Sequence, residues 1–425
     1  MGPYQGMRYQ LSVLPNGLRL VHVPMPAVRS VSVAVFIGVG SRYETTENAG
    51  VSHLVEHLLF RGTTRRPRAR TISEVLDSVG GILNASTDKE LTVYWAKVAQ
   101  EHFPLALDLL ADLLQNSLLR PADVNKEKGI VEEELGMLAD DPQDRVQVLT
   151  EETLWPEQPL GREIAGTRES VRRLTRAPIL SHLQTYYGPN NAVISVAGGI
   201  DAAGAFELVN RCFGEWTPVP APAAAPAWHG ERADRRVETK DTEQVNLCIA
   251  YPGVPRHHPD RWAIDMLTTI LGGGASSRLF VELRDRLAMV YDVHMYAGYF
   301  GDTGSIVLSA GVEPVKVERA VEAMFKEIDR ICRRGVPAAE LAKAKNFFRG
   351  RLWLGLEDSQ SVAAWHGAQQ ALSESIITPE DALARVEEVR VADLARVART
   401  YLAPQQARMV AVGPLDADAL PAGAV

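Results

Sequence analysis

Apolar and polar positions along this chain switch between two periods. Residues 19–25 and 31–37 alternate or run apolar in the manner of strands, with the turn Pro15-Asn16-Gly17 ahead of the first. From 48 to 60 apolar residues recur every three or four positions, which predicts a helix. A strand pair is predicted near 81–98, helices near 102–118 and 121–139, more helix over 169–187, and a strand at 192–197. Strands interleaved with helices in this order predict an α+β fold, with helices packed on one face of a largely antiparallel sheet.

The pattern then repeats. "YYGPNNAVISVAGGID" is echoed by "YLAPQQARMVAVGPLD", so that Pro189 pairs with Pro404, Gly198 with Gly413 and Asp201 with Asp416, each 215 residues apart. Gly38 and Gly253 match at the same offset near the start of the two halves. One such match would mean little; the same spacing at both ends implies a duplicated domain. Between the halves, "TPVPAPAAAPA" at 217–227 has no period and reads as a semi-stiff connector. The expected organisation is an N-terminal domain at 1–217, a Pro/Ala-rich linker at 218–230 and a homologous C-terminal domain at 231–425.

Composition narrows the class. Of the 425 residues, 46% are hydrophobic and 23% charged, as in a soluble globular protein, and the net charge is −8. No basic stripe is present, so nucleic acid is not an expected partner. No apolar run of ~18 residues exists, so no membrane span is expected. Cys212, Cys248 and Cys332 are far apart and form no CxxC pair, which excludes a thiolate metal knuckle and a disulfide framework. That usage predicts reduced thiols and a cytoplasmic location. The first residues lack the basic segment and apolar core of a signal peptide, and Met7 is a candidate natural start.

The chemistry concentrates in "VSHLVEHLLFRGT", residues 51–63. Residues at i, i+3 and i+4 share a helix face, so His53, Glu56 and His57 project together. Two imidazoles one turn apart can hold a zinc ion, and the glutamate between them can take a proton from water that the metal activates. The order is the inverse of HExxH. A catalytic zinc usually has three protein ligands. In "PADVNKEKGIVEEELGMLAD", residues 121–140, Val124, Val131 and Leu138 mark a buried stripe. Glu127 and Glu134 fall on that stripe, where a carboxylate is costly unless paired or metal-bound. One of these two is the expected third ligand and the other the carboxylate that supports a ligand. Glu132 reads as solvated and Glu133 as intermediate.

These motifs resemble the pitrilysin family of zinc peptidases over nearly the whole chain, and within it the short-subunit branch that includes mitochondrial processing peptidase. In that family HxxEH is followed by a glutamate 76 or 77 positions after the second histidine; here Glu134 follows His57 by 77. The resemblance implies His53, His57 and Glu134 as zinc ligands, Glu56 as general base and Glu127 as the supporting carboxylate. Lys128 stands where an arginine is common. "GGILNASTDKELTVY", residues 80–94, is similar to the family's substrate-binding sheet edge, which implies Asn84 and Ala85 as contact positions. In the second half, His53, Glu56 and His57 map to Thr268, Leu271 and Gly272, so no zinc is expected there. Gly272–Gly274 is not followed by a Gly-Lys-Ser/Thr sequence, so a loop rather than a nucleotide site is expected before a helix near 277–287. Arg284 and Tyr291 match the family's LRxxxxxxY pair and are implied to assist at the scissile bond, while Ala288 replaces the usual glycine. His257, His258 and His294 are expected not to be ligands.

What the resemblance implies is a zinc-dependent endopeptidase that cuts peptides or unfolded segments, with two homologous domains forming half of a clamshell chamber. This chain carries both the metal motif and the Arg/Tyr pair, which favours a homodimer over a heterodimer with a related chain. The alternative is a non-catalytic or partner-dependent subunit of a heterodimeric processing peptidase.

Overall fold

A computed structural model describes residues 8–227, 235–373, 375–416 and 420. Residues 1–7, including the candidate start Met7, and 228–230 of the expected linker lie outside the described residues. The first half runs β1 (Gln10–Val13), β2 (Arg19–Pro24), β3 (Ser30–Ile37), α1 (Val51–Leu59), α2 (Ala69–Asp77), β4 (Ile82–Thr87), β5 (Thr92–Ala99), α3 (Phe103–Asn116), α4 (Pro121–Asp140), α5 (Pro142–Leu154), α6 (Arg168–Arg173), α7 (Arg176–Tyr186), β6 (Ala192–Gly198) and α8 (Ala202–Phe213). The second runs β7 (Arg235–Thr239), β8 (Val245–Pro252), α9 (Arg261–Gly272), a π-helical segment (Phe280–Arg286), β9 (Val290–Tyr299), β10 (Gly304–Val312), α10 (Val317–Arg334), α11 (Ala338–Gly355), α12 (Ser359–Leu372), α13 (Pro379–Glu388), α14 (Val391–Tyr401) and β11 (Arg408–Gly413).

The fold is α+β with two sheets. The first has the order β1-β2-β6-β3-β5-β4, the second β7-β11-β8-β10-β9. Each contains one parallel pair, β2–β6 and β7–β11, and is otherwise antiparallel. The helical run expected over 169–187 is two helices, because Leu174 is extended and Thr175 is an extended N-cap for α7. Periodicity alone did not single out α5. Its buried face includes Thr150 and Thr153 beside Val146, Leu149 and Leu154, which dilutes the apolar signal. Asp141 separates it from α4 by capping Gln143 N–H at 2.7 Å, with Pro142 filling the first turn.

Contacts divide the chain into two compact units, each drawing on both sequence halves. The first unit comprises 1–135, 163–225 and 352–381; the second comprises 136–162, 226–351 and 382–425. In the first, odd residues of β3 (Val31, Val33, Val35, Ile37) enter a core with α1 and α3. Its even residues face α12: Ser32 Oγ is 2.9 Å from Ser359 Oγ, and Phe36 packs at Gly367. In the second, Val245, Leu247, Ile249 and Tyr251 of β8 join the main core, while Cys248 and Ala250 lie against α5. Both central strands are thus covered on two faces, which accounts for their near-continuous apolar sequences. α5 and α12 begin at residues 142 and 359, nearly one repeat offset apart, so the same position of the duplicated sequence supplies both covering helices. Among the described residues no helix is long and apolar enough to cross a membrane.

At Gly367 a Cβ would lie 2.2 Å from Phe36 Cε2 and 2.7 Å from Ser195 Cβ, whereas at Gly350 of α11 nothing lies within 4 Å. Gly367→Val is expected to destabilise the protein by ~1–3 kcal/mol through overpacking. Gly350→Ala is expected to stabilise it by up to ~1 kcal/mol through helix propensity. Thermal-melt midpoints that move in opposite directions would bear this out.

Candidate metal centre

A close backbone crossing sets the start of α1. Gly50, its N-cap, has φ 90, and a Cβ there would sit 2.4 Å from the Ala165 carbonyl oxygen. Gly166, at φ +77, would reciprocally place a Cβ 2.5 Å from the Ala49 oxygen. Only glycine fits both conformation and contact. The buried Glu44 carboxylate accepts from Gly50 N–H and Ser52 N–H, each at 2.7 Å. That puts negative charge at the positive end of the helix. Val51, Leu54, Val55, Leu58 and Leu59 are buried, so His53, Glu56 and His57 are left together on the half-buried face.

The His53 and His57 rings lie 4.6 Å apart, centroid to centroid. Their Nε2 atoms are 3.9 and 3.6 Å from Glu134 Oε2 on α4. One ligand atom from each of the three residues lies within 4.8 Å of the others, and among the described residues this is the one group of that kind. Ligand atoms around a tetrahedral zinc, each ~2 Å from the ion, are ~3.3 Å apart. The donor set of two imidazole nitrogens and one carboxylate oxygen therefore fits such an ion in type and spacing. Burial, and then the neighbouring His57, holds the His53 pKa down to about 4. Its ring is neutral at ordinary pH, the form that binds metal.

α4 supplies both glutamates from one helix. Glu127 is completely buried, between Val124 and Val131, and Glu134 lies two turns further on at the rim. Glu127 Oε2 is 3.3 Å from His57 Nδ1. Arg61 grips the same carboxylate, Nε at 2.5 Å from Oε1 and Nη2 at 2.8 Å from Oε2. Glu132, read above as solvated, is half-buried and pairs with Arg172 at 2.7 Å. Glu133 is exposed rather than intermediate. Lys128 donates to the carbonyls of Arg172 and Leu174 at 2.5 and 3.0 Å and so anchors α4 to the turn after α6.

Glu56 lies beside the donor set. Burial raises its pKa, opposed by the Thr87 hydroxyl, which donates to Oε2 at 2.6 Å, and by His57. Thr87 ends β4, the outermost strand of its sheet. Asn84 is exposed and Ala85 half-buried on this strand, and Asn84 Oδ1 accepts from Ala85 N–H at 2.8 Å. Arg61, Thr87 and Glu44 were not singled out from sequence. Arg61 is four residues beyond His57, the helical spacing, but falls past the end of α1. Thr87 and Glu44 act from other segments, and only folding brings them to α1.

The second unit has a different character. Thr268, Leu271 and Gly272, equivalent to the metal motif, are buried in α9 and supply no clustered donors. The expected helix near 277–287 includes the π-helical segment, on which the Arg284 guanidinium stacks 4.8 Å from the Phe280 ring and 5.3 Å from the Tyr291 ring. Arg284 and Tyr291 line a cleft of 470 Å³ with Glu243, Met289 and Glu313. Tyr291 is 71% exposed. Ala288 has φ 47, a left-handed backbone that explains why glycine would be usual there. His258 and His294 neighbour single aspartates, Asp260 and Asp292, and neither these two nor His257 joins a metal-type cluster among the described residues.

Residues 20–168 match the family model described as insulinase (peptidase family M16), and residues 173–348 match the peptidase M16 inactive domain. An uncharacterized zinc protease of Streptomyces coelicolor is 36% identical over 411 residues, 95% of this chain and 89% of that protein. The uncharacterized zinc protease YmxG of Bacillus subtilis is 35% identical over 359 residues, 84% and 87% of the two chains. Among solved structures, a protease from Helicobacter pylori superposes with a TM-score of 0.90 at 24% identity, covering 96% of this chain and all of that one. A chain of complex III2 from Candida albicans gives 0.84 at 21% identity, covering 97% and 98%.

Two backbone positions can be tested directly. Gly50→Ala is expected to lower stability by at least ~1–2 kcal/mol, through the left-handed φ and the collision with Ala165. Ala288→Gly is expected to raise it by up to ~1 kcal/mol, since left-handed strain is released there. Denaturant midpoints measure both.

Proposed function

The chain belongs to the insulinase family of peptidases, family M16, and we propose that it is a zinc-dependent endopeptidase cleaving peptides or unfolded segments. One observation carries this reading: the His53, His57 and Glu134 donors face one another with Glu56 alongside, and Glu56 touches the last residue of an edge strand. A structural metal site has no use for a partly buried carboxylate beside its ligands; a hydrolytic one needs it as a base.

A zinc ion held by His53, His57 and Glu134 would supply a Lewis acid and lower the pKa of water at its open position. Glu56 takes the proton of the attacking water and delivers it to the leaving amine. Its raised pKa suits it to both transfers, and Thr87 holds one carboxylate oxygen so that the other faces the reaction. β4 offers backbone N–H and C=O groups along its outer edge, and an extended peptide can add there as a further strand. Binding of that kind depends little on side chains, with Asn84 and Ala85 at the contact. Arg284 and Tyr291 provide a fixed positive charge and a hydroxyl donor for the oxyanion. The working particle is a homodimer enclosing a chamber, because a single chain holds both the donor set and the Arg/Tyr pair.

Purified protein is expected to cleave a quenched fluorescent peptide library, to lose that activity with a chelator and to regain it with zinc. Glu56→Gln is expected to bind zinc with unchanged stoichiometry yet fall ~10²–10⁴-fold in rate. Full activity in Glu56→Gln would remove it as the base. Thr87→Val deletes a hydrogen bond that lowers the Glu56 pKa, so the acid limb of the pH–rate profile should move to higher pH. Light scattering at twice the chain mass would support the homodimer.

A further inference from the structure

The His57 ring has two nitrogens, and only one is available to a metal. Nε2 faces Glu134 at 3.6 Å, while Nδ1 faces the Glu127 carboxylate at 3.3 Å. A carboxylate can only accept, so the hydrogen resides on Nδ1 and the lone pair on Nε2. What keeps Glu127 in that role is not obvious from its own helix. The side chain has no exposure, Val124 and Val131 flank it along α4, and a carboxylate so enclosed is tolerated only if paired. The cation that meets it is Arg61: Nη2 donates to Oε2 at 2.8 Å, and Nε lies 2.5 Å from Oε1 as an ion-pair contact outside hydrogen-bond geometry. A directional hydrogen bond from the guanidinium to the oxygen that also faces His57, with the rest of the cation packed on the other oxygen, restricts the carboxylate more than a mobile point charge would.

Arg61 is itself held. It follows the C-cap Phe60, and its N–H donates to the Leu58 carbonyl at 3.1 Å, closing the last turn of α1. Gly62 next to it adopts φ +151 and passes so close to Pro67 that a Cβ would lie 2.8 Å from the Pro67 oxygen. The guanidinium therefore projects from the same helix end that carries His57 and closes a loop of contacts: His57 to Glu127, Glu127 to Arg61, and Arg61 back to His57 through one turn of backbone.

We propose that Arg61 is a positioning residue for the metal centre: by locking the Glu127 carboxylate it fixes the tautomer and ring orientation of His57 and thereby sets zinc affinity. This rests on the reading of His53, His57 and Glu134 as zinc ligands. Outer partners of metal-bound histidines typically contribute 10–100-fold in affinity. The role is distinct from charge balance, because the Arg61 hydrogen bond falls on Oε2, the same oxygen that faces His57 Nδ1.

The test compares zinc dissociation constants, by chelator competition on the full chain, for wild type, Arg61→Ala, Arg61→Lys and Arg70→Ala. Arg70 forms an exposed pair with Glu74 and serves as the control. Arg61→Ala is expected to bind ~10–100-fold more weakly, Arg61→Lys to recover part of the loss, and Arg70→Ala to match wild type. In metal-free protein, ¹⁵N chemical shifts of the His57 ring should report Nδ1–H in wild type and a mixture of tautomers in Arg61→Lys. Wild-type affinity and an unchanged ring signature in the Arg61 variants would overturn the proposal. If Arg61→Ala fails to fold, Arg61→Lys decides by the same two readouts. Absence of stoichiometric zinc binding by wild type would instead sink the ligand assignment beneath it, while the His57 shifts would still test the Arg61–Glu127 lock.

Discussion

A fully buried carboxylate organises the first unit. Glu127 sits on an apolar stripe of α4 with no exposure, and its charge is compensated by groups from the end of α1, Arg61 and His57. Removing a charge from water is so costly that the two helices must dock in one register, and any slide would strand the charge. That register brings Glu134, two turns along the same helix, opposite the two histidines. The ion-pair network and the donor set are thus one constraint expressed twice. The site depends on the docking, and the docking depends on the buried charge.

The start of α1 is held with comparable rigidity. The Gly50 and Gly166 crossing leaves no room for side chains, and Glu44 satisfies the first amide groups of the helix. A nine-residue helix has little stability of its own. Here it is fixed at its N-terminus by backbone contact and a buried carboxylate, and at its C-terminus by the Arg61 grip. The three polar side chains between those anchors have little freedom to drift, which is what a catalytic constellation needs.

The sheets show how a duplication was resolved physically. Each central strand is largely buried on both faces, and one helical layer covers only one of them. The second cover comes from α12 in the first unit and α5 in the second, corresponding helices of the repeat. Both helices use small or weakly polar residues on the covering face, Gly367 and Ser359 in one and Thr150 and Thr153 in the other. Small residues let the helix approach the sheet closely, and that is also why the apolar periodicity of α5 was faint.

Much of this was legible in the order of residues. The period of the apolar positions gave the α+β class and most elements; the 215-residue echo gave the duplication. Helical spacing alone put His53, Glu56 and His57 on one face, and a carboxylate at apolar register marked both Glu127 and Glu134. These are local properties, fixed by 3.6 residues per turn and by the cost of a buried charge. Helical register left open which of the two glutamates faces the histidines, a choice only the family resemblance made, and nothing in the sequence said that Arg61 rather than solvent meets Glu127, that Thr87 holds Glu56, or which sheet α5 and α12 would cover. Those choices join segments between 31 and more than 300 residues apart, such as Glu56 with Thr87 or Ser32 with Ser359. No periodicity encodes such pairings; packing and the requirement to satisfy every buried charge select them, and only the folded chain makes that selection.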